Sequence, residues 1–196
     1  MEQQRYVGRG GEKLKAAIDA VGLNVNGGVA ADFGCNIGGF TDCLLQEGAA
    51  RVYAIDTGYG MLDWKLRNDK RVVVMERTNA MHVKLPEPVS VVAIDVGWTP
   101  QRHILPNALG QLAPDGVILS LFKPQYEAAG DRRRHNVRLR RGIVRQEDFE
   151  SVLRATVEEL STAGIRVRQT VALPHGRNSK NLEAFLYIHA ADNRRP

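Results

Sequence analysis

The feature that most constrains the fold of this chain is an alternation of short apolar runs with segments of helical periodicity. Runs of four to six mostly apolar residues recur at 29–32, 51–55, 71–75, 89–94 and 117–122. Runs this short and continuous are typical of strands that are buried on both faces of a parallel sheet. Helical patterns over 38–46 and from about 101 to 112 lie between them. The alternation therefore predicts an α/β fold with helices covering a mostly parallel sheet.

The last third of the chain predicts one helix followed by two strands. Apolar residues from Phe149 to Leu160 repeat at helical spacing, and Gly164 is placed to end that helix. Alternation over 167–173 and the run 183–189 then predict two strands with no helix between them. Strands joined in this way pair antiparallel. The sequence thus predicts seven strands, with one reversed strand near the C-terminus.

Length and composition narrow the class of protein further. The 196 residues suffice for a single domain, 1–196, and are 43% hydrophobic and 25% charged. No apolar run approaches the roughly 20 residues of a membrane helix, and no signal-peptide pattern opens the chain. We therefore expect a cytoplasmic protein that has no membrane partner. Two cysteines and five scattered histidines predict neither a disulfide framework nor a metal site.

A glycine-rich loop follows the first predicted strand. It runs from Asp32 to Thr41 as Asp-Phe-Gly-Cys-Asn-Ile-Gly-Gly-Phe-Thr. Glycines at the carboxyl end of a strand let a ligand approach the backbone closely. The spacing matches neither the dinucleotide-binding fingerprint nor a P-loop, and an ordinary tight turn is the alternative for the loop alone. The predicted cofactor-binding residues of this loop are Asp32, Gly34, Asn36, Gly38, Gly39, Phe40 and Thr41.

Polar residues also follow the next three predicted strands. Asp56 ends the second strand, where an acid can accept hydrogen bonds from both hydroxyls of a ribose. Asn79 follows the third strand, at the height of an adenine edge, and Asp95 follows the fourth. Each residue alone could cap a helix. Together, at successive strand ends, they predict a pocket for the nucleoside part of a cofactor.

Eight motifs follow one another from the N-terminus to the last predicted strand, and they carry a family resemblance. The chain resembles the TlyA/hemolysin-A family of FtsJ-like ribose methyltransferases. The resemblance implies a Rossmann-like class I S-adenosylmethionine-dependent methyltransferase fold, with S-adenosyl-L-methionine as the cofactor. The motifs begin at Tyr6 (Tyr-Val-Gly-Arg-Gly-Gly-Glu-Lys-Leu), Gly38 (Gly-Gly-Phe-Thr-Asp), Asp56 (Asp-Thr-Gly-Tyr-Gly), Leu62 (Leu-Asp-Trp-Lys-Leu-Arg-Asn-Asp), Glu76 (Glu-Arg-Thr-Asn-Ala), Lys123 (Lys-Pro-Gln-Tyr-Glu), Gly142 (Gly-Ile-Val-Arg) and Asn181 (Asn-Leu-Glu).

The resemblance also implies a catalytic set of two lysines and two acids. Carried over by motif, the set is Lys13, Asp95, Lys123 and Glu183, with Lys13 in an N-terminal segment, 1–22. Asp95 and Lys123 end predicted parallel strands, and Glu183 begins a reversed one, so these three should share one sheet edge. Lys15 is the alternative to Lys13, and only the motif favours Lys13. Each residue alone could instead be a solvated charge.

Two roles for Lys123 remain open from the sequence. A ribose hydroxyl is a poor acid, so its methylation needs a base or a cation that stabilises the developing alkoxide. A lysine acts as a base only where burial or a neighbouring cation favours its neutral form. Lys123 is therefore either the base or a charged clamp on the oxygen. Asp95 and Glu183 are expected to orient the lysines.

The resemblance implies a cytidine 2′-hydroxyl of ribosomal RNA, free or in a ribosomal subunit, as the target. A basic loop, 128–145, follows Lys123, and only Asp131 opposes its arginines in a chain of formal charge +5. Phosphate contacts are made chiefly by Arg and Lys, so RNA contact is predicted here, with a solvated loop as the alternative. The predicted RNA-binding residues are Arg132, Arg133, Arg134, Arg138, Arg140 and Arg141.

Some features depart from the family pattern. Members carry an RNA-binding S4 domain ahead of the methyltransferase, whereas this sequence begins where that domain would end. Gly97-Trp-Thr-Pro stands where members show Ser-Phe-Ile-Ser, and Trp98 could stack on a base or fill the core. Two other functions therefore stay open: methylation of a smaller hydroxyl substrate, and a non-catalytic RNA-binding or hemolysin-like protein. The oligomeric state is not predicted.

Overall fold

The computed structural model describes residues 5–130, 142–174 and 181–193. Within these ranges the chain forms seven strands, six α-helices and two short 3-10 helices. In chain order the helices and strands are α1 (Gly10–Val21), β1 (Val29–Phe33), α2 (Gly39–Gln46), β2 (Arg51–Ile55), α3 (Trp64–Arg67), β3 (Val72–Met75), β4 (Val89–Ile94), α4 (Gln101–Gly110), β5 (Leu112–Phe122), α5 (Pro124–Gly130), α6 (Phe149–Thr162), β6 (Gln169–Ala172) and β7 (Ala184–His189). The 3-10 helices are Gln146–Asp148 and Ala190–Asp192.

The strands form one sheet in the order β3-β2-β1-β4-β5-β7-β6. Strands β1 to β5 pair parallel with their neighbours. Strand β7 runs antiparallel to both β5 and β6, so it is the single reversed strand and lies inside the sheet between them. The predicted α/β fold with a mostly parallel, seven-stranded sheet is confirmed. Strand β7 follows β6 in the chain and pairs with it antiparallel, as the sequence predicts for two successive strands.

The sheet is buried on both faces, as its continuous apolar strands predicted. Successive residues of β1 point to opposite sides: Ala31 and Phe33 belong to one apolar cluster, and Ala30 belongs to the other. Helices α4 and α6 contribute to the first cluster, and α1 and α2 contribute to the second. This two-layer covering leaves the carboxyl ends of the parallel strands, with their loops, as the edge where a ligand can bind.

Five elements differ from the sequence-based expectation: α1, α3, α4, α5 and β5. Helix α4 ends at Gly110, and β5 begins at Leu112, five residues before the apolar run that predicted it. In the first part of β5, Leu112 pairs with Val89 of β4, before a register shift in β4. This part of the strand is defined by backbone pairing and has no apolar pattern that would have predicted it. Helices α1, α3 and α5 were not predicted, and α5 includes 128–130, which the sequence analysis placed in the basic loop. Leu14, Ala17 and Ile18 are buried at helical spacing, a signal in the sequence that indicates α1.

Within the described ranges, no helix combines the length and apolarity needed to cross a membrane. In the same ranges, no three metal-ligating side chains of the His, Cys, Asp or Glu type come together.

Candidate active site

The loop after β1 is packed tightly between the ends of two neighbouring strands. The backbone N–H groups of Gly34 and Cys35 both donate to the carbonyl of Ile55, over 2.8 and 3.0 Å. Gly34 has a φ of +89°, and a Cβ atom at this position would lie 2.6 Å from the carbonyl oxygen of Asp95. Glycine is therefore required here for both conformation and space. The loop approaches the ends of β2 and β4 closely enough to form the floor of a site.

Three of the residues predicted to bind a cofactor are buried, one in β1 and two at the start of α2. Asp32 and Thr41 are fully buried, and the Thr41 hydroxyl donates to Asp32 Oδ2 over 2.7 Å. Burial raises the pKa of Asp32 to about 7, and the bond from Thr41 opposes that rise. Gly38 packs against Leu66, since a Cβ atom there would lie 2.2 Å from Leu66 Cδ1. None of the three lines either of the two cavities described next.

The smaller cavity, of about 360 Å³, lies beside the ends of β2 and β4. Asp56 lines it and accepts two backbone hydrogen bonds, from Gly58 at 2.7 Å and from Asn36 at 2.9 Å. These bonds fix the carboxylate in one orientation at the cavity wall. Asn79 also lines the cavity, and its Oδ1 accepts from the Met81 N–H over 2.9 Å. The cavity thus brings together an acid and an amide that the sequence placed at separate strand ends.

The larger cavity, of about 680 Å³, lies between α1, the glycine loop and the start of β7. Lys13 and Glu183 line it and form an ion pair, with 2.5 Å between Lys13 Nζ and Glu183 Oε2. Gly39 and Phe40, two further predicted cofactor-binding residues, also line it. Lys15, the sequence alternative to Lys13, instead forms an ion pair with Asp19 and does not line the cavity. The geometry therefore favours Lys13 over Lys15 as the lysine of the site.

A second ion pair joins Asp95 and Lys123. The Asp95 backbone N–H donates to the Phe33 carbonyl over 2.9 Å, which ties the end of β4 to the end of β1. Lys123 directly follows the adjacent strand β5, and its ammonium donates to Asp95 Oδ1. Both side chains are largely shielded from solvent, with 16% of Lys123 and 28% of Asp95 exposed. Screening by solvent at this pair is therefore weaker than at an open surface.

Asp95 is the residue at which the two cavities meet. Gly34, Asn36 and Asp95 line both of them. The four residues of the catalytic set thus form two lysine–carboxylate pairs around the larger cavity, although Lys123 reaches it only through Asp95. A ligand that spans both cavities would pass directly over the glycine loop.

Two aromatic residues lie beside the second ion pair. Trp98 lines the smaller cavity, is 86% exposed and has a φ of +61°, so it does not fill the core. Its ring lies 5.2 Å from that of Tyr126, and Lys123 Nζ lies 5.8 Å from the Tyr126 ring centroid. The sequence left both options open for Trp98 and did not single out Tyr126. The arginine residues predicted to bind RNA, Arg132 to Arg141, lie outside the described residues.

The sheet order, the glycine loop and the acid at the end of β2 define the class of this protein as a Rossmann-like methyltransferase fold. The sequence model of the FtsJ-like methyltransferase family matches residues 6–186, and the chain belongs to that family. The prediction of an enzyme of the methyltransferase class, drawn from the motifs, is confirmed by this match.

Two curated relatives are similar to this chain over almost its whole length. YqxC of Bacillus subtilis, named as an rRNA methyltransferase, is 38% identical over 94% of this chain and 66% of its own length. The 16S/23S rRNA (cytidine-2′-O)-methyltransferase TlyA of Mycobacterium tuberculosis is 36% identical over 98% of this chain and 71% of its own length. The chain thus spans about two thirds of the length of these curated relatives.

Solved structures agree with the fold. A protein of Lactococcus lactis that carries the name hemolysin superposes with a TM-score of 0.85 and 33% identity, over 96% of this chain and 90% of its own. An S-adenosylmethionine-dependent methyltransferase of Mesorhizobium loti shares the fold at a TM-score of 0.61 and 15% identity, over 88% of this chain and 95% of its own.

Proposed function

We propose that this protein transfers a methyl group from S-adenosylmethionine to a ribose 2′-hydroxyl of RNA, and specifically to a cytidine of ribosomal RNA. The observation that carries the proposal is the pair of lysine–carboxylate contacts at one cavity, Lys13–Glu183 and Lys123–Asp95, next to a nucleoside-sized cavity that shares Asp95. The activity for which TlyA is named, methylation of cytidine 2′-oxygens in 16S and 23S rRNA, supports the choice of acceptor.

The residues of the smaller cavity fit the nucleoside part of S-adenosylmethionine. Asp56 is fixed by backbone N–H groups and presents carboxylate oxygens suited to the two ribose hydroxyls. Asn79 provides an amide for the edge of the base. When bound, S-adenosylmethionine supplies an electrophilic methyl group on a sulfonium. The shared residues Gly34 and Asn36 would hold the part of the cofactor that passes between the cavities.

The larger cavity is suited to hold the acceptor nucleotide. Its volume of about 680 Å³ leaves room for a nucleotide beside the cofactor, and Lys13 and Glu183 lie on its wall. Displacement at a methyl group needs the oxygen, carbon and sulfur in line, so the main task of the protein is alignment. A lysine held by a carboxylate keeps its ammonium in one place, which serves that alignment.

We assign Lys123 the role of a charged clamp on the acceptor oxygen. In the free protein its ammonium is held by Asp95 and shielded from solvent. A fixed cation in such a site stabilises the negative charge that develops on the acceptor oxygen as the hydroxyl proton passes to a water molecule. Trp98 lines the smaller cavity and not the larger one, and its exposed ring offers an aromatic face to an acceptor base that extends beyond the larger cavity.

The experiment that tests this function is methyl transfer from isotope-labelled S-adenosylmethionine to unmodified ribosomal RNA and to ribosomal subunits. The RNA is then digested and its nucleosides are analysed by mass. We expect labelled 2′-O-methylcytidine, and we expect Lys123→Met to form it at least about a hundredfold more slowly. A protein that binds the cofactor but leaves both RNA substrates unlabelled would contradict the proposed acceptor and favour a small hydroxyl substrate.

A further inference from the structure

One buried residue, Gln101, makes side-chain hydrogen bonds before Lys123 in the chain and a backbone hydrogen bond after it. Gln101 begins α4 and is 3% exposed. Its side-chain Nε2 donates to the Leu121 carbonyl over 3.2 Å, and its Oε1 accepts from the Ser120 hydroxyl over 2.6 Å. Its backbone N–H donates to Glu127 Oε1 over 2.9 Å. Two hydrogen bonds donated by Gln101 and one that it accepts therefore hold positions on either side of Lys123.

The same residue lies close in sequence to Asp95. Gln101 comes six residues after Asp95, at the end of the loop that contains Trp98. Both partners of the Asp95–Lys123 ion pair therefore lie in segments connected to Gln101. The segment with Asp95 leads into Gln101 along the chain, and the segment with Lys123 is hydrogen bonded to it. A displacement of Gln101 would shift the end of β5, the start of α5 and the Trp98 loop relative to one another.

The burial of Glu127 supports a specific role for this contact. Glu127 is 1% exposed, and burial raises its pKa to about 7, with the bond from Gln101 as the first opposing effect. Arg102 on α4 also lowers it, and Glu159 on α6 raises it. Pro100 provides no side-chain cap for α4, so the Glu127 carboxylate takes that place at the first turn. A buried acid is costly unless it is hydrogen bonded, and here the Glu127 carboxylate accepts from the Gln101 backbone N–H.

We infer that Gln101, supported by Ser120 and Glu127, is a positioning residue that fixes the Asp95–Lys123 pair for methyl transfer. This rests on the proposed function, in which that pair acts on the acceptor oxygen. Gln101 lines neither cavity, so it acts through Lys123 and not through contact with cofactor or acceptor. Because an in-line displacement tolerates little misplacement, a small shift of Lys123 lowers the rate steeply.

The test compares two amides at opposite ends of α4. Gln101→Met removes both side-chain hydrogen bonds and keeps the length of the side chain. The matched control is Gln111→Met, because the Gln111 amide accepts from the Leu85 N–H over 2.9 Å and donates to Asn107, away from both cavities. For each variant one measures the single-turnover rate of RNA methylation, the Kd of S-adenosylmethionine by calorimetry, and the melting temperature.

We expect Gln101→Met to lower the single-turnover rate about tenfold to hundredfold. Its cofactor Kd should stay within about twofold of wild type, since no cavity residue changes. Gln111→Met should lose a similar amount of thermal stability with a rate near that of wild type. A Gln101→Met rate within twofold of wild type, or a cofactor Kd that weakens as much as the rate falls, would overturn the inference.

A second measurement does not depend on activity. Amide hydrogen exchange over residues 120–127 reports the order of the Lys123 segment in the free protein, including the Tyr126 N–H that donates to the Lys123 carbonyl over 3.0 Å. Gln101→Met should speed exchange there, and Gln111→Met should not. If wild type fails to methylate RNA while exchange responds as expected, the proposed acceptor is wrong and the positioning contact stands. If Gln101→Met leaves exchange over 120–127 unchanged, Gln101 does not hold the Lys123 segment and the inference is wrong.

Two variants of Glu127 test the hydrogen bond that it accepts from the Gln101 backbone N–H. Glu127→Gln keeps an oxygen that can accept from the Gln101 N–H, whereas Glu127→Leu removes the acceptor and leaves that N–H unpaired. We expect Glu127→Gln to keep most of the wild-type rate and Glu127→Leu to lose it with unchanged cofactor affinity. Equal rates for the two variants, measured well below their melting temperatures, would contradict a role for this bond.

Discussion

Lys13 and Glu183 are 170 residues apart in the chain, and their side chains meet over 2.5 Å at the wall of the larger cavity. The contact joins the first helix to the start of the reversed strand β7. The larger cavity is therefore lined by residues from both ends of the sequence. Asp95 lines the same cavity and is paired with Lys123. In each pair, the lysine and the carboxylate belong to different parts of the chain: α1 and the start of β7 in one pair, and the ends of β5 and β4 in the other.

Because Lys13 and Glu183 act as one pair, we expect their substitutions to be non-additive. Lys13→Met and Glu183→Gln should each lower the methylation rate, and the double variant should lose little more than the more damaging single one. A double-mutant cycle on the single-turnover rate measures this coupling. Multiplied losses in the double variant would show that the two residues act independently.

Substitution of Lys123 separates its two possible roles. Lys123→Met should reduce methyl transfer about a hundredfold or more with cofactor affinity unchanged. Lys123→Arg keeps a positive charge but cannot lose its proton, so it should retain more of the rate than Lys123→Met if the group is a charged clamp. Equal loss in the two variants would favour the base. Lys84→Met, at an exposed position, is the control.

Asp56 is expected to govern cofactor affinity and not the rate of transfer. Asp56→Ala removes the carboxylate that lines the smaller cavity, and hydrogen bonds to charged groups contribute about 1.5–3 kcal/mol. The Kd of S-adenosylmethionine should therefore rise about tenfold to hundredfold, as calorimetry would show. Asp115→Ala, on the exposed part of β5, should leave the Kd unchanged. An unaltered Kd in Asp56→Ala would place the nucleoside elsewhere.

Substitution by alanine should be far more damaging at Gly34 than at Gly60, although both glycines have a positive φ. Gly34→Ala forces a Cβ atom to within 2.6 Å of the Asp95 carbonyl, so β4 and the loop must separate. Gly60 also has a positive φ, of +73°, but a Cβ atom there would have no neighbour within 4 Å, so Gly60→Ala carries only the backbone strain, about 1 kcal/mol. We expect loss of cofactor binding for Gly34→Ala alone. Similar binding by the two variants would argue against the close approach at Gly34.

The buried acid Asp32 makes stability depend on pH with a defined sign. Its pKa rises from 3.8 to about 7 in the folded state, so the folded protein keeps a proton that the unfolded chain releases. Its contribution to stability therefore falls as the pH rises from about 4 to about 7, by on the order of a few kcal/mol, and is constant above that range. Asp32→Asn should remove this part of the slope in urea unfolding measured across the range. Asp115→Asn should not, and a slope unchanged in Asp32→Asn would mean that this carboxyl titrates near its ordinary value.

Much of the fold could be predicted from the sequence because the signals are local. The apolar runs of β1, β2 and β4 have the length and continuity of buried strands, and their positions in the structure match within a residue or two. The short connection between β6 and β7 made their antiparallel pairing predictable. The residues at the strand ends, Asp56, Asn79 and Asp95, could be placed at one edge because parallel strands share a direction.

Other features have no local signal. The start of β5 at Leu112 depends on pairing with β4, and Gln101 resembles any polar residue at the start of a helix until its partners Ser120, Leu121 and Glu127 are seen. Motif resemblance favoured Lys13 over Lys15, but only the tertiary structure shows that Lys13 faces Glu183 while Lys15 pairs with Asp19.

The sequence by itself determined the class of fold, the edge of the sheet that carries the site and the residues available for chemistry, since hydrophobic periodicity and strand direction act between near neighbours in the chain. The tertiary structure decided how those residues pair, which of them line the two cavities and which are buried away from both. Those choices depend on contacts between residues far apart in sequence, such as Lys13 with Glu183 and Asp95 with Lys123, and on the burial that only the packed sheet and helices create.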